Sequence, residues 1–574
     1  MKMNKKRFCI QLIVWIVSVS TLFLRSSLFV EEENSPQQYA FVLTTIVGCL
    51  VFSFLSLKKL YCSICVAWGE FFVLLSGIYF FVHIYFFDKV PIGFLVFLYA
   101  LFCLYILLQT NKCLTPFSRI AWIVSVSTFG QALLGIYQYF FTGKSLPVAG
   151  YFDNPAGFGA TLVCGVFFTL YLMQLRRCRL KIIACILLVF LLFALILSGS
   201  RASYLACIGG VVYFYWNSFT CKLRGLNRYS RLIFIFLCIC VIAGLYFVKK
   251  DSADGRLFIW RCTWDLFKER PYFGYGEHGF TAQYMFSQAN YFKGHENGHF
   301  EFLADNVNNP FNEYLRLLIQ RGLLGVLFTG LVVFWYWKNS KCFLNSRNRI
   351  LFSLLLALGI NSFFSYPFRY VYVWLCLVII GAYMEQGKIL VCCRLRYSYL
   401  FVVNVLIGLF SVYYLSKNIY GEVKWKQLVA KNQLKKSDAC IIQYEKLYDI
   451  LYGNPYFHYN YAVVLFELEH YQESKQELKV CQAFLNDMDT QLLSADINIQ
   501  MGYDNDGEND LVIASYMCPN RFMPIYKLML LSEKRGYKEK AYEYARIIAE
   551  KPVKVPSFTV TQIKSHALKR IREK

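Results

Sequence analysis

The chain has 574 residues, of which 57% are hydrophobic and 17% are charged, whereas soluble proteins carry about 25% charged residues. Its formal net charge is +24, but the basic residues fall in short segments between apolar runs, where such residues set membrane orientation. This composition excludes a soluble enzyme, argues against nucleic-acid binding and predicts an all-α polytopic membrane protein.

A helix needs about 20 mostly apolar residues to cross a bilayer. Apolar runs of this length, or slightly shorter, recur along the chain. Thirteen are expected, at 8–24, 39–57, 64–87, 90–110, 119–141, 156–175, 181–198, 203–220, 231–248, 322–337, 350–367, 370–384 and 399–416. With the N-terminus in the cytoplasm, clustered Lys and Arg fall in the inner loops, as the positive-inside rule requires. This topology places the turn 198–203, a large loop at 249–321 and everything after 416 outside the cytoplasm.

The segment 417–574 differs in character from the membrane domain at 1–416. It is rich in Lys, Glu, Tyr and Leu at helical spacing. Within 454–484, small and aromatic residues stand where a helix-turn-helix repeat needs them, and 536–552 is similar to the second half of such a repeat. The segment resembles a small tetratricopeptide array, so we predict an extracytoplasmic helical-repeat domain suited to binding a protein partner or a long glycan.

The stretch "LSGSRASYLA" (197–206) leaves Arg201 at the outer membrane boundary. Two interpretations fit it. An arginine at this depth can anchor a helix end by extending towards the headgroups. Alternatively, a guanidinium beside a glycine and two serines suits an anion such as phosphate.

The stretch 254–280 begins with apolar residues at helical spacing and ends in a glycine-rich loop after Pro271. It predicts an amphipathic helix on the membrane surface, with Leu257 and Trp264 on its apolar face. Such a helix either only packs against the protein or directs Arg256 and Arg261 into a cleft. The loop 249–321 has nine basic and nine acidic residues, so specific arginines rather than general charge must bind any anion.

The stretch "NNPFNEYLRLLIQRGLLG" (308–325) joins this loop to the next span. Asn312 can cap a helix here, and Gly322 lets that helix join the span closely. Asn312, Arg316 and Arg321 are expected to support the site at the membrane surface.

Four stretches together resemble the O-antigen ligase/polymerase superfamily of bacterial membrane glycosyltransferases, over about residues 150–385. They are "YFDNPAGFGATL" (151–162), "SGSRASYL" (198–205), "GRLFIWRCTWDLFKERPYFGYGEHGF" (255–280) and "NPFNEYLRLLIQRGLLG" (309–325). The resemblance implies a multi-pass protein of the bacterial inner membrane. It further implies transfer of a glycan from undecaprenyl pyrophosphate to an acceptor hydroxyl on a lipid, a glycan or a protein, with no metal or other cofactor.

The resemblance also implies roles for individual residues. Arg201, Arg256 and Arg261 fall where the family places arginines that contact pyrophosphate. Ligases of this family usually carry a histidine where this chain has Phe311, and histidine is the usual general base. Either no base is needed or another residue supplies it. The candidates for that base are His299, His295 and Glu313.

Several functions remain open from the sequence. The missing histidine disfavours a lipopolysaccharide ligase, and the C-terminal repeats suit a protein O-oligosaccharyltransferase or an enzyme that polymerises O-antigen or capsule repeat units. A polysaccharide transporter or flippase is a different class, supported by Glu70 and His83 inside one span. Transporters usually show broken helices in symmetric repeats, and the sequence has no such symmetry.

Overall fold

The computed structural model describes residues 5–57, 61–88, 92–143, 147–175, 178–216, 229, 244, 250–295, 300–340, 345–384, 387–434 and 437–573. Throughout this part of the chain helices dominate, as the sequence predicts. The membrane helices are α1 (Lys5–Phe23), α2 (Asn34–Leu55), α3 (Trp68–Phe87), α4 (Ile92–Thr110), α5 (Phe117–Phe141), α6 (Pro155–Leu172), α7 (Cys178–Leu197), α8 (Arg201–Phe214), α11 (Glu313–Ser340), α12 (Ser346–Phe364), α13 (Val371–Tyr383) and α14 (Tyr397–Leu434). The large loop forms α9 (Lys250–Glu269) and α10 (Gly279–Gly294).

Each predicted span except 231–248 coincides with one of these membrane helices. Among the described residues, nine helices are long and apolar enough to cross a membrane, while α8 and α13 are apolar but shorter. The span 231–248 falls almost entirely outside the described residues, so the total of thirteen stays a prediction. The protein is a multi-pass membrane protein.

The helix α6 lies at the centre of the bundle, and nearly all its side chains are buried. Its glycines let neighbouring elements approach closely. A Cβ at Gly157 would lie 2.2 Å from the ring of Tyr370, and one at Gly159 would lie 2.4 Å from Ser203 Oγ. The start of α6 is therefore packed against the start of α8 and the turn before α13.

The turns 24–33, 147–154, 198–200 and 365–370 lie at the same end of the bundle as α9 and α10. We call it the loop end. There, α11 breaks at Gly322, whose φ of 66° favours glycine. The break exposes backbone groups that pair with the preceding loop: Tyr275 N donates to Ile319 O at 2.8 Å, and Leu323 N donates to Pro271 O at 2.8 Å.

A two-stranded antiparallel sheet, which the sequence analysis did not predict, lies at the opposite end. It pairs β1 (Tyr61–Ala67) with β2 (Ile389–Arg396). The predicted span 64–87 accordingly begins as a helix only at Trp68. The sheet joins the segment before α3 to the segment before α14.

The C-terminal part is helical, as predicted, and its helices follow one another with short connections. They are α15 (Ala439–Leu451), α16 (Pro455–Glu467), α17 (Tyr471–Gln482), α18 (Met488–Gln500), α19 (Asp504–Met517), α20 (Met523–Lys534), α21 (Lys538–Glu550) and α22 (Phe558–Arg572). These C-terminal helices share an apolar core with the large loop, where Met488 and Met517 pack in one cluster with Phe258 and Tyr284. Whether they form tetratricopeptide repeats stays a prediction.

Candidate functional site

The short turn between α7 and α8 positions Arg201. Gly199 has a φ of 60°, which allows the chain to reverse at once, and Arg201 becomes the first residue of α8. Its side chain is half-buried at the loop end. Arg201 therefore stands at the positive end of the α8 helix dipole.

Arg256, on the first turns of α9, lies in the electrostatic field of Arg201. It donates to Phe364 O at 2.7 Å, and its guanidinium carbon is 5.4 Å from the centre of the Phe311 ring. Burial, and after it the positive charge of Arg201, lower the pKa of Arg256 below its ordinary value. Two half-buried like charges repel, so an anion between them would stabilise both.

A polar cluster from α6 and the 365–370 turn lies beside Arg256. Asn154 caps α6 through Ala156 N and Gly157 N and donates from Nδ2 to Tyr366 Oη at 2.6 Å. Asp153 accepts from Tyr370 Oη at 2.7 Å and lies 3.4 Å from Arg369 Nη2.

Tyr366 connects this cluster to Arg256. Burial, and then the charge of Asp153, raise the pKa of Tyr366, so it keeps its proton and can donate. Its ring lies 5.5 Å from that of Phe311. Phe311, which occupies the position of the family's usual histidine, therefore lies at this site. Its φ of 53° is uncommon for phenylalanine.

No role for Asp153 or Tyr366 was predicted from the sequence. Asp153 belongs to a stretch that carries the family resemblance, "YFDNPAGFGATL", which was a usable signal. Tyr366 had no comparable signal, because the turn "SYPFRY" (365–370) reads as an ordinary aromatic boundary between two spans.

The predicted support residues form a charge cluster at the start of α11. Asn312 Oδ1 accepts from Tyr314 N at 3.0 Å and from Leu315 N at 3.1 Å, as an N-cap does. Glu313, which the sequence offers as a candidate base, lies beside them: it is buried, accepts from Phe368 N at 3.2 Å and pairs with Arg316 at 3.4 Å.

Arg321 is almost wholly buried among acceptors from two other elements. Its Nη1 lies 2.9 Å from Asp88 Oδ2 and 3.0 Å from His83 Nδ1, and its Nη2 lies 2.8 Å from Glu277 Oε2. His83 is therefore part of a structural cluster. Glu70, the other ionisable residue of α3, accepts from Gln109 Nε2 at 2.6 Å and from Ala67 N at 2.8 Å.

The remaining predicted site residues lie apart from the pair of Arg201 and Arg256. The guanidinium of Arg261 is 4.9 Å from the centre of the Tyr291 ring, and the ring of His295 stacks on the same tyrosine at 4.5 Å. Both side chains are exposed. His299 lies outside the described residues. The structure thus brings Arg201 and Arg256 together and separates Arg261 and His295 from them.

Residues 186–330 match the family model described as O-antigen ligase. The predicted resemblance to the O-antigen ligase superfamily is confirmed. None of the curated proteins compared with the chain matches it. The matched region runs from α7 into α11 and is shorter than the predicted core of about 150–385. It supports a membrane enzyme of the O-antigen ligase/polymerase type.

The O-antigen ligase region contains every site residue predicted from the sequence, from Arg201 to Arg321. Asp153 precedes this region in the sequence and Tyr366 follows it, so only the fold brings these two residues close to it. A cleft of about 320 Å³ adjoins the same region and is lined by Asp88, Arg270, Glu277 and Phe484. Arg201 and Arg256 do not line this cleft, which is bordered instead by Asp88 and Glu277, the partners of Arg321.

Proposed function

We propose that this protein transfers a glycan from undecaprenyl pyrophosphate to an acceptor hydroxyl at the extracytoplasmic membrane surface, without a metal ion. One end of α12 contacts both arginine-bearing helices: Asn361 donates to Ser203 Oγ on α8, and Phe364 O accepts from Arg256 on α9. This placement of Arg201 and Arg256 within electrostatic range of each other, inside the O-antigen ligase region, carries the proposal. Two guanidinium groups near each other support a diphosphate ligand, because guanidinium groups bind phosphate oxygens through paired hydrogen bonds.

In the proposed reaction the bond between the anomeric carbon and the diphosphate oxygen breaks, and the acceptor oxygen bonds to that carbon. The leaving diphosphate takes the electron pair of the broken bond and gains negative charge. Arg201 and Arg256 stabilise this charge, and losing one such preorganised donor typically costs about 10²–10³ in rate. Tyr366 is a further donor for a diphosphate or sugar oxygen.

The proton of the acceptor hydroxyl needs an acceptor, and two carboxylates lie around the site: Asp153 in the polar cluster with Tyr366, and Glu313 at the start of α11. Glu313 is 9% exposed and already accepts a backbone N–H, whereas the side chain of Asp153 is 31% exposed. We assign the base role to Asp153 because it is the more accessible. A diphosphate is a good leaving group, so a weak base suffices.

The docked C-terminal helices favour an acceptor larger than a lipid core. They lie against the large loop that carries Arg256, so a protein or a growing glycan bound to them would be close to the site. This supports a protein O-oligosaccharyltransferase or a repeat-unit polymerase over a lipopolysaccharide ligase. Deleting the gene separates these classes: shortened surface glycans indicate a polymerase, accumulated lipid-linked glycan indicates a ligase, and unchanged glycans contradict both.

The site is tested by complementing that deletion with Arg201→Ala, Arg256→Ala and Arg261→Ala. We expect the first two to reproduce the deletion while remaining in the membrane, because each removes one of the paired guanidiniums. Arg261→Ala is the matched control, since its side chain is exposed and stacks on Tyr291. Full complementation by both Arg201→Ala and Arg256→Ala would contradict the proposal.

A further inference from the structure

A cleft of about 320 Å³ lies where the membrane domain, the large loop and the C-terminal helices meet. Its lining residues come from the end of α3, the end of α9, the start of α10 and the connection between α17 and α18. Ligand sites in proteins are commonly clefts of about 300 Å³ or more, and they occur preferentially at such junctions. The function proposed above assigns this cleft no role.

Hydrogen bonds between these parts of the chain hold the walls of the cleft in place. Asp88 Oδ1 accepts from Glu277 N at 2.7 Å, which joins the end of α3 to the large loop. Thr281 Oγ1 donates to Phe484 O at 2.6 Å, and Asn486 N donates to Thr281 O at 3.0 Å, which joins α10 to the C-terminal helices. The cleft is therefore preorganised, and a ligand would bind it with little reordering of the protein.

The carboxylates and guanidinium groups at the cleft balance each other. Arg321 pairs with Asp88 at 2.9 Å and with Glu277 at 2.8 Å, and Arg316 lies 3.3 Å from Glu277. The two kinds of group are equal in number: Asp88, Glu269 and Glu277 against Arg270, Arg316 and Arg321. Because opposite charges at similar distances cancel, an ion of either sign gains little here, and the cleft favours an uncharged polar ligand.

Several hydrogen-bonding groups of the cleft have no partner within the part of the chain that the structure describes. Arg270 lies over the ring of Tyr275, 4.8 Å from its centre, and pairs with no carboxylate there. Gln283 is exposed, and its amide makes no side-chain hydrogen bond among the described residues. Glu269 accepts from Tyr275 Oη at 2.7 Å through Oε2, which leaves Oε1 as an acceptor. Donors and acceptors in one cleft match sugar hydroxyls, since a hydroxyl both donates and accepts.

A short chain of contacts connects the cleft with the polar cluster around Tyr366. Glu277, in the cleft, contacts Arg316, which pairs with Glu313 at 3.4 Å. Glu313 in turn accepts from Phe368 N at 3.2 Å, in the same turn as Tyr366. The cleft also adjoins the end of α3, a membrane helix, so it lies close to the membrane surface. A glycan attached to a membrane lipid is held at that level.

We propose that this cleft binds an uncharged, hydroxyl-rich stretch of the donor glycan, beyond the sugar that reacts, through Arg270, Gln283 and Glu269. The inference rests on the function proposed above. Arg201 and Arg256 hold the diphosphate, which every donor of this kind carries, whereas the cleft contacts the part of the glycan that differs from one donor to another. The cleft is therefore a specificity-determining subsite, and the C-terminal helices form one of its walls.

The test measures how tightly the purified full-length protein in detergent binds the oligosaccharide that mild acid releases from the cell's lipid-linked glycan. Isothermal titration calorimetry gives the dissociation constant. The probe lacks the diphosphate, so it reports on the cleft rather than on the arginine pair. We expect Arg270→Ala to bind it about tenfold more weakly and Gln283→Ala about fivefold more weakly, because each loses hydrogen bonds to the sugar. Both side chains are exposed, so the melting temperature should stay unchanged.

Each variant has a matched control close to it in the chain. Lys268→Ala also removes an exposed cation at the end of α9, but Lys268 pairs with Asp265 at 2.8 Å and does not line the cleft. Asn290→Ala also removes an exposed amide from α10, at a position that does not line the cleft. Both controls should bind the oligosaccharide as the wild type does.

Two results would overturn the inference. One is that Arg270→Ala and Gln283→Ala bind the oligosaccharide as tightly as their controls. The other is that inorganic phosphate binds in an Arg270-dependent way while the oligosaccharide does not, which would make the cleft an anion site.

A titration of the same proteins with inorganic pyrophosphate separates this subsite from the proposed function. If Arg201→Ala and Arg256→Ala bind pyrophosphate as tightly as the wild type, the proposed function is wrong. If those two variants lose pyrophosphate while the wild type does not bind the oligosaccharide, the subsite is refuted and the proposed function stands.

Discussion

Arg521, in the connection between α19 and α20, binds the carboxylate of Asp305 in the large loop, with Nη2 2.7 Å from Oδ1 and 3.0 Å from Oδ2. Neighbouring contacts reinforce this connection. Asn520 donates to Ala304 O, and Asn306 donates to Asp489 Oδ2 at 3.1 Å. The C-terminal part of the chain therefore fixes residues 304–306, in the segment that leads to Phe311.

Breaking that connection should loosen the segment without unfolding the protein. For Arg521→Ala we expect a stability loss of about 1 kcal/mol or less, because the pair is partly exposed. We also expect faster proteolysis within 300–309 and a severalfold lower transfer rate. Exchanging the charges, with Arg521→Asp and Asp305→Arg together, should recover part of the rate. The control is Arg546→Ala, which breaks an exposed pair with Glu550 away from the loop; equal rates for both alanine variants would contradict the prediction.

Glu277 should make the stability of the fold depend on pH. Burial tends to raise its pKa, but the charges of Arg316 and Arg321 outweigh burial and hold it below the ordinary 4.5. Because the folded pKa lies below the unfolded one, ionised Glu277 stabilises the fold fully above the unfolded pKa, and this contribution is lost as pH falls through the folded pKa.

Melting temperatures of the wild type and Glu277→Gln, taken between about pH 7 and pH 3.5, check this expectation. The difference should be largest at neutral pH and should shrink towards acid. Glu550→Gln, which alters an exposed pair, should differ little from the wild type at any pH. A difference for Glu277→Gln that stays constant or grows on acidification would show that the carboxylate is not stabilised in its charged form.

Gly322 should tolerate no side chain. A Cβ there would lie 2.1 Å from Tyr272 O, and its positive φ alone costs a non-glycine residue about 1–2 kcal/mol. We expect Gly322→Ala to reduce the yield of folded protein sharply. Gly330→Ala, in the same helix, has nothing within 4 Å of the new Cβ and should be neutral or slightly stabilising. Size-exclusion chromatography in detergent compares them, and similar profiles would exclude the close approach at Gly322.

Phe311 should matter for the position of Arg256. Removing the ring by Phe311→Ala takes away a cation–π contact of about 0.5–1 kcal/mol, so we expect kcat/KM to fall by roughly twofold to fivefold. Phe311→Tyr keeps the ring and should stay close to the wild type. If both variants behave alike, the ring does not position the guanidinium.

Local sequence pattern predicted most of the helices and some of the site. Apolar runs near 20 residues marked the spans, and "NPFNEYLRLL" (309–318) indicated the cap at Asn312. The sheet was missed because "YCSICVA" (61–67) is apolar and continues into α3, and hydropathy alone does not distinguish a strand from a helix in such a run.

The site itself was predicted only in part, because its contacts join residues far apart in the chain. Asp153 meets Tyr370 and Arg369 through the packing of α6 against the 365–370 turn, and no local spacing encodes that meeting. The sequence also did not predict that Arg261 lies apart from Arg256, because both belong to the same predicted helix. Arg261 is placed by its contact with Tyr291 on α10, which is distant in the sequence.

The pairing of β1 with β2 bears on how the protein is made. A ribosome that adds about 5–20 residues per second needs roughly a quarter of a minute to a minute to proceed from residue 67 to residue 389. Throughout that interval β1 has unpaired backbone groups and is open to pairing with another chain. Biogenesis therefore favours a factor that shields this edge until β2 emerges and pairs with it.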